Sequence, residues 1–244
     1  MLKFSVVIPV YNEKQSIVPL YSSLRSVMEK IGQSYEIIFV NDCSTDNSLE
    51  TLKGIDLKSS NLIIISLGKR NGQSLAMQAG FDIAQGDLII TMDGDLQNDP
   101  EDIPELLAKM NEGYDVVCGW RKNRKDTISK LLVSKIARVI LRIITKVNIH
   151  DFGCTLRIFK KEALRGVYLS TGMHRFFILI ISKLGRKIGE IKVKHYPRTF
   201  GRSKYNIHNR LFEFLIGLTR VSFFDIHRLM ERRQDYQIRE IIRK

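Results

Sequence analysis

Asp93, Asp95 and Gln97 occupy alternate positions in Asp93-Gly94-Asp95-Leu96-Gln97, immediately after the apolar run Asp87-Leu88-Ile89-Ile90-Thr91-Met92. Alternate side chains of an extended segment share a face, so two carboxylates and an amide oxygen can converge on one hard cation carrying a diphosphate. The apolar run has the composition of a strand buried on both faces, and open α/β sheets bind ligands just beyond the carboxyl ends of such strands. Asp99 then reads as an N-cap, with Pro100 in the first turn of the helix that follows. A lone Asp-x-Asp carries little information, so its meaning depends on the segments around it.

Two other strand ends bear on the same place. Val7-Ile8-Pro9-Val10-Tyr11-Asn12-Glu13 offers a proline that ends the ladder, an aromatic face and a carboxylate suited to a nucleobase. Val40-Asn41-Asp42-Cys43-Ser44-Thr45-Asp46 puts Asp42 where a ribose or base edge can be read, with Ser44 or Thr45 to cap the next helix. Three acidic strand ends side by side define a crevice for a nucleotide and a metal.

The elements that must position these residues are legible as a β/α alternation. Strands are expected at 4–10, 35–40, 61–67, 88–92 and 115–119, and helices at about 14–31, 46–53, 72–84 and 101–112. This order demands an α/β fold with a mostly parallel sheet. No G-x-G-x-x-G follows the first strand and no P-loop is present. Residues 126–147 read as one long amphipathic helix with Arg138, Arg142 and Lys146 as a basic stripe, and 206–224 as a second apolar segment. Neither holds the ~18 uninterrupted apolar residues of a membrane span, so both suit a membrane interface or a partner surface. Residues 229–244 read as a charged helix or frayed tail. The division expected is a catalytic domain over 1–205 and a C-terminal helical segment over 206–244.

Net charge is +13, unevenly spread. Residues 1–115 carry 9 Lys/Arg against 17 Asp/Glu, a net of −8, and the remainder 30 against 9, a net of +21. A basic half fits anionic lipid, a phosphorylated substrate or nucleic acid. No RNA-binding aromatic motif, helix-turn-helix or zinc finger accompanies it. Three separated cysteines argue against a disulfide scaffold and against structural zinc. With no signal-peptide pattern at the start, a cytoplasmic location is expected.

Taken together, the three strand-end motifs resemble those of family 2 glycosyltransferases with the GT-A fold, a Rossmann-like arrangement. Gly119-Trp120-Arg121-Lys122-Asn123-Arg124, Asp151-Phe152-Gly153-Cys154, Met173-His174-Arg175-Phe176 and Arg198-x-x-Gly201-Arg202-Ser203-Lys204-Tyr205 are similar to the polyprenyl-phosphate branch, which includes dolichyl-phosphate mannose synthases. The resemblance covers roughly 4–225. It implies that Pro9, Tyr11, Glu13 and Asp42 hold the nucleotide, that Asp93 lies near ribose and diphosphate, and that Asp95 and Gln97 ligate Mg2+ or Mn2+. It implies phosphate-holding roles for Arg121, Arg124, Arg202 and Lys204, and an acceptor-side place for His174, Arg175, Arg198 and Ser203. On residue type alone His174 reads as a hydrogen-bonded structural histidine. Arg70-Asn71-Gly72 is one residue shorter than the usual Arg-Asn-Phe-Gly, which leaves Arg70 and Gln73 without a role. Many relatives continue into two membrane spans that this sequence lacks, implying peripheral attachment at the inner membrane face and a separate spanning partner or a homo-oligomer.

The implied reaction transfers a hexose from a UDP- or GDP-sugar to undecaprenyl or dolichyl phosphate with inversion. A phosphate acceptor with its second pKa near ~6 is already ionised at neutral pH, so no protein base is required. Arginines and lysines (Arg121, Arg124, Arg198, Lys204) would align two anions that repel each other. An acceptor sugar hydroxyl would instead require a carboxylate base, and Asp151 is the candidate by motif position. A nucleic-acid-binding protein with an incidental crevice is the remaining reading, and it predicts no divalent-dependent nucleotide binding.

Overall fold

The computed structural model describes residues 3–55, 61–122, 149–200 and 235–244. The expected amphipathic helices at 126–147 and 206–224, together with Arg124, Arg202, Ser203 and Lys204, lie outside the described residues.

Strands β1 (Phe4–Val10), β2 (Tyr35–Asn41) and β3 (Leu62–Leu67) alternate with helices α1 (Lys14–Ile31), α2 (Ser48–Lys53) and α3 (Gln73–Ile83). Then come β4 (Leu88–Thr91), a 3-10 turn Pro100–Asp102 leading into α4 (Ile103–Met110), and β5 (Val116–Trp120). The second half supplies β6 (Arg157–Lys160), α5 (Phe177–Lys183), β7 (Ile188–Lys192) and β8 (Ile238–Arg243). The eight strands among the described residues join one sheet in the order β7-β5-β6-β4-β1-β2-β3-β8. The central strands β4, β1, β2 and β3 are parallel, β5 and β7 pair in parallel, and β6 and β8 run antiparallel to their neighbours.

Period-two alternation explains how the sheet is covered. Phe4, Val6, Ile8, Ile37, Phe39, Leu62 and Ile64 face α1 and α4, whose Ile17, Leu20, Leu24, Met28 and Leu106 are buried against them. Val7, Ile38, Val40, Ile63 and Ile65 face the other way, onto Leu75, Ala76 and Ala79 of α3. α3 sits so close that a Cβ on Gly80 would collide with Val7 Cγ1. The apolar run that follows the Met173-His174-Arg175-Phe176 motif is α5, buried from Phe177 to Ile181.

The C-terminus departs from expectation. Within 229–244 the described part is no helix or tail: Ile238–Arg243 adds to β3 as an edge strand, pairing Ile64 with Ile242 and Ile65 with Ile241. The catalytic sheet therefore includes a strand from beyond residue 205, which corrects the helical reading of that end. Among the described residues no helix is long and apolar enough to cross a membrane.

Candidate active site

Parallel pairing brings the carboxyl ends of β1, β2 and β4 to one edge, and with them the three acidic motifs. Pro9 ends the pairing of β1 with β4, which stops at Val7–Thr91, while pairing with β2 continues to Val10–Asn41. Asn12, in the left-handed region at φ 55, then stitches two loops together. Its amide donates to Ser44 Oγ at 3.0 Å, its Nδ2 to Thr45 Oγ1 at 2.9 Å, and its Oδ1 accepts from Thr45 N at 2.8 Å. Ser44 and Thr45 are thus spent on Asn12 and do not cap α2 as expected: its N-cap is Asn47, which makes no side-chain cap, while Asp46, one residue earlier, accepts from Ser48 N at 2.9 Å.

Asp42 is buried at the end of β2, and its two oxygens accept from Asn71 N and Gly72 N, each at 2.7 Å. Burial pushes its carboxyl up, and those two amides pull back. It anchors the loop that leads into α3 and carries Arg70, whose guanidinium lies 4.1 Å from the Tyr11 ring centroid. Tyr11, Arg70 and Asp42 form one flank of the crevice. The shortened Arg70-Asn71-Gly72 turn, whose role the resemblance leaves open, places Arg70 on the Tyr11 ring.

At the end of β4, Asp93 accepts from Gln73 Nε2 at 2.6 Å. Burial, then the neighbouring Asp95 charge, push its carboxyl up to about 6. Gly94 lies against Pro9, where a Cβ would come within 3.3 Å of the carbonyl oxygen. Asp95 Oδ1 accepts from Gln97 N at 3.1 Å, and Oδ2 accepts from Arg198 Nη2 at 2.8 Å. Gln97 donates its Nε2 to the Tyr196 carbonyl at 3.2 Å, leaving Oε1 as the amide atom a cation could take. Asp99 caps the Pro100–Asp102 turn through Glu101 N at 3.0 Å, as its position predicts.

The donor set fits a hard divalent cation: oxygen atoms only, and two neighbouring carboxylates whose charges oppose each other. A guanidinium already serves as counter-charge on Asp95. Asp95 and Gln97 would hold the ion, with Asp93 beside it. Among the described residues no group of three or more His, Cys, Asp and Glu is placed to hold a metal ion, so such a site depends on the Gln97 amide and on groups a ligand brings.

Arg121, at the end of β5, is closed onto Asp151 by Nε–Oδ2 and Nη2–Oδ1 bonds of 2.7 and 3.0 Å. Asp151 also accepts from Arg121 N at 3.3 Å and Gly153 N at 3.0 Å, so each oxygen takes two donors. Glu190 on β7 holds this loop, accepting from His150 N and Asp151 N at 2.9 Å each. His174 is bonded to Ser74, through Nδ1 at 2.8 Å and through its amide at 3.0 Å, in keeping with the structural role its residue type suggested. The side chain of Arg175 lies outside the described residues. Gln73 and Ser74, adjacent on the first turn of α3, hold Asp93 and His174 respectively. Neither contact has a local sequence signal.

The model of glycosyl transferase family 2 matches residues 5–167. The chain belongs to that family. This glycosyltransferase is 40% identical over 228 residues to a dodecaprenyl-phosphate galacturonate synthase of Rhizobium johnstonii, covering 91% of the chain and 67% of the relative. It is 38% identical over 221 residues to an undecaprenyl-phosphate 4-deoxy-4-formamido-L-arabinose transferase of Salmonella paratyphi B, covering 89% and 68%. Among solved structures, glucosyl-3-phosphoglycerate synthase from Mycobacterium tuberculosis, crystallised with Mn2+, UDP and phosphoglyceric acid, superposes with TM-score 0.72 at 17% identity, covering 92% of this chain and 80% of that one. S. aureus TarS 1–349 with UDP-GlcNAc gives TM-score 0.61 at 18% identity, covering 93% and 69%. The GT-A type of fold expected from the motifs is the fold these structures share with the transferase.

Proposed function

We propose that this transferase moves a hexose or related sugar from a nucleotide sugar to a polyprenyl phosphate, with inversion at the anomeric carbon, at the inner face of a membrane. The carrying observation is the closure of Asp151. Both of its oxygens are filled by Arg121 and the Gly153 amide, so the carboxylate named as base for a sugar-hydroxyl acceptor is committed elsewhere. An ionised phosphate acceptor needs no such base. The relatives at 40% and 38% identity bear polyprenyl-phosphate names, in accord with this choice.

In this reading the Tyr11 ring and Asp42 hold the nucleoside, with Glu13 beside them. Asp95 and Gln97, with Asp93 beside them, would hold Mg2+ or Mn2+, which when bound offsets charge growing on the leaving diphosphate. Gln73 keeps Asp93 aimed at the crevice. Arg121, fixed by Asp151, presents positive charge to the acceptor side, and Arg124, Arg175, Arg202, Ser203 and Lys204 remain proposed phosphate contacts. His174 stays on the acceptor side through Ser74. Peripheral attachment suits the basic half, since each lysine or arginine near an anionic leaflet contributes about 1 kcal/mol. Trp120, stacked on His150 at 4.1 Å with Lys122 and Lys192 near its ring, is an edge suited to that surface.

Labelled UDP- and GDP-sugars offered with undecaprenyl phosphate, followed by organic extraction, test the proposal. Divalent-dependent label in the organic phase is expected. Label appearing only on saccharide acceptors would sink it. Thermal stabilisation by UDP against GDP, each with Mn2+, identifies the base.

A further inference from the structure

Arg198 bridges two carboxylates that come from different strand ends. Its Nη1 donates to Glu13 Oε1 at 3.0 Å and its Nη2 to Asp95 Oδ2 at 2.8 Å. Glu13 is buried to 8% and Asp95 to 6% exposure. Asp95 Oδ1 accepts from the Gln97 amide, so the guanidinium sits on the other oxygen of a residue read as a cation ligand.

The segment that delivers Arg198 is pinned up to two residues before it. Lys194 N donates to Asp102 Oδ2 at 2.8 Å, Lys194 Nζ to Asp99 at 3.0 Å, and Tyr196 OH to Asp99 at 3.1 Å. Tyr196 N reaches the Gln97 carbonyl at 3.0 Å, and His195 bridges Asn98 in antiparallel fashion. The metal-side loop and this strap therefore form one unit. Arg198 hangs from its end with 23% of its side chain exposed, so rotation of a long side chain can carry the guanidinium away while the strap stays in place.

We propose that Arg198 is the counter-cation of Asp95 and Glu13 before donor binds, exchanged for the divalent ion when donor arrives: the guanidinium gives up Asp95 and Glu13 and takes the donor's diphosphate. The inference rests on the reading of Asp95 and Gln97 as cation ligands. Its physical basis is charge conservation at one oxygen. A charge-assisted pair must be broken before a metal can use Asp95 Oδ2, and a planar fork that fits carboxylates fits phosphates equally well. Metal alone then competes with Arg198, whereas metal with nucleotide gives Arg198 a new partner. The exchange disfavours metal binding without donor and favours the loaded complex.

The test is Mn2+ binding, read from the paramagnetic signal of the free ion, in wild-type protein and Arg198→Gln, with and without UDP. Removing the guanidinium is expected to tighten Mn2+ alone by about tenfold, and to weaken UDP binding in the presence of Mn2+ by about tenfold. These opposite signs are the signature, since a merely structural defect weakens both. Arg198→Lys, a point charge that cannot fork, should fall between. If Mn2+ binds wild type and Arg198→Gln equally while UDP–Mn2+ binding persists, the metal reading stands and the exchange is overturned. If Mn2+ binds neither protein even with UDP, both fall. Should the variants fail to fold, the Arg198 Nε–H signal of wild-type protein decides: saturation with Mg2+ must shift it, and an unmoved signal overturns the exchange.

Discussion

Gln73, the first residue of α3, donates from Nε2 to Asp93 Oδ1 at 2.6 Å. The hydrogen bond joins a helix start to the end of β4 across the crevice, and it favours the charged form of Asp93. Burial and then the Asp95 charge work against that form, holding the carboxyl at about 6. Cation affinity should therefore fall as pH drops through about 6, by about tenfold per unit below it, because the proton and the metal compete for the carboxylate pair. Gln73→Leu should move that midpoint to higher pH and weaken Mn2+ at pH 7. Mn2+ titrations at a series of pH values check both, and an unmoved midpoint in the variant would separate Gln73 from Asp93.

The same shift has a stability consequence of definite sign. The folded carboxyl of Asp93 titrates near 6, above the ordinary value of 3.8. The folded state thus holds this proton more tightly, and the contribution of Asp93 to stability falls as pH rises from about 4 to about 6 and stays low above that. Asp93→Asn removes the burden. Without metal or nucleotide, the variant should melt about 2–4 °C higher than wild type at pH 7, the shift that ~1 kcal/mol gives a chain of this size. The difference should vanish toward pH 4, while transfer activity is lost throughout. A variant that melts lower at pH 7 would contradict the assignment.

Arg121 and Asp151 form a buried pair in which each is the other's main compensation. Removing one partner leaves an unpaired charge, which costs about 3–5 kcal/mol. Arg121→Ala and Asp151→Ala should each lower stability by that order, and the double variant by clearly less than their sum. Urea unfolding of the three variants measures the coupling. Additive losses would mean that the two residues act independently, and would return Asp151 to contention as a proton acceptor.

The sequence made the first half of the molecule legible because short apolar runs, each bounded by turn residues, leave little choice but buried parallel strands. The convergence of Glu13, Asp42 and Asp93 follows from that alone, since parallel strands share a carboxyl edge. What stayed hidden is non-local or weakly patterned. Arg198 reaches Asp95 across 103 residues and Glu13 across 185, and an arginine read alone announces no partner. Strand β6 is only four residues long, and β7 contains a glycine. Strand β8, Ile-Arg-Glu-Ile-Ile-Arg, carries as many charges as apolar residues. Its exposure alternates along an edge where only one side has a partner, so its burial signal is faint.

That edge strand yields the last prediction. β8 covers the outer side of β3, a strand buried at every position. Glu240 pairs with Lys53 of α2 at 3.0 Å, and Lys244 Nζ reaches the carbonyl of Ile55 at 3.1 Å, so the strand is also tied to the helix preceding β3. Removing residues 238–244 would leave the amides and carbonyls of Leu62, Ile64 and Ser66 on an open edge, the arrangement that templates pairing with other chains. The truncated transferase should melt several degrees lower and form concentration-dependent aggregates, while UDP–Mn2+ affinity below its melting point changes little, because the crevice lies at the strand ends. Light scattering and nucleotide titration check the two halves separately. A monodisperse truncation with wild-type melting would show that β3 needs no cover.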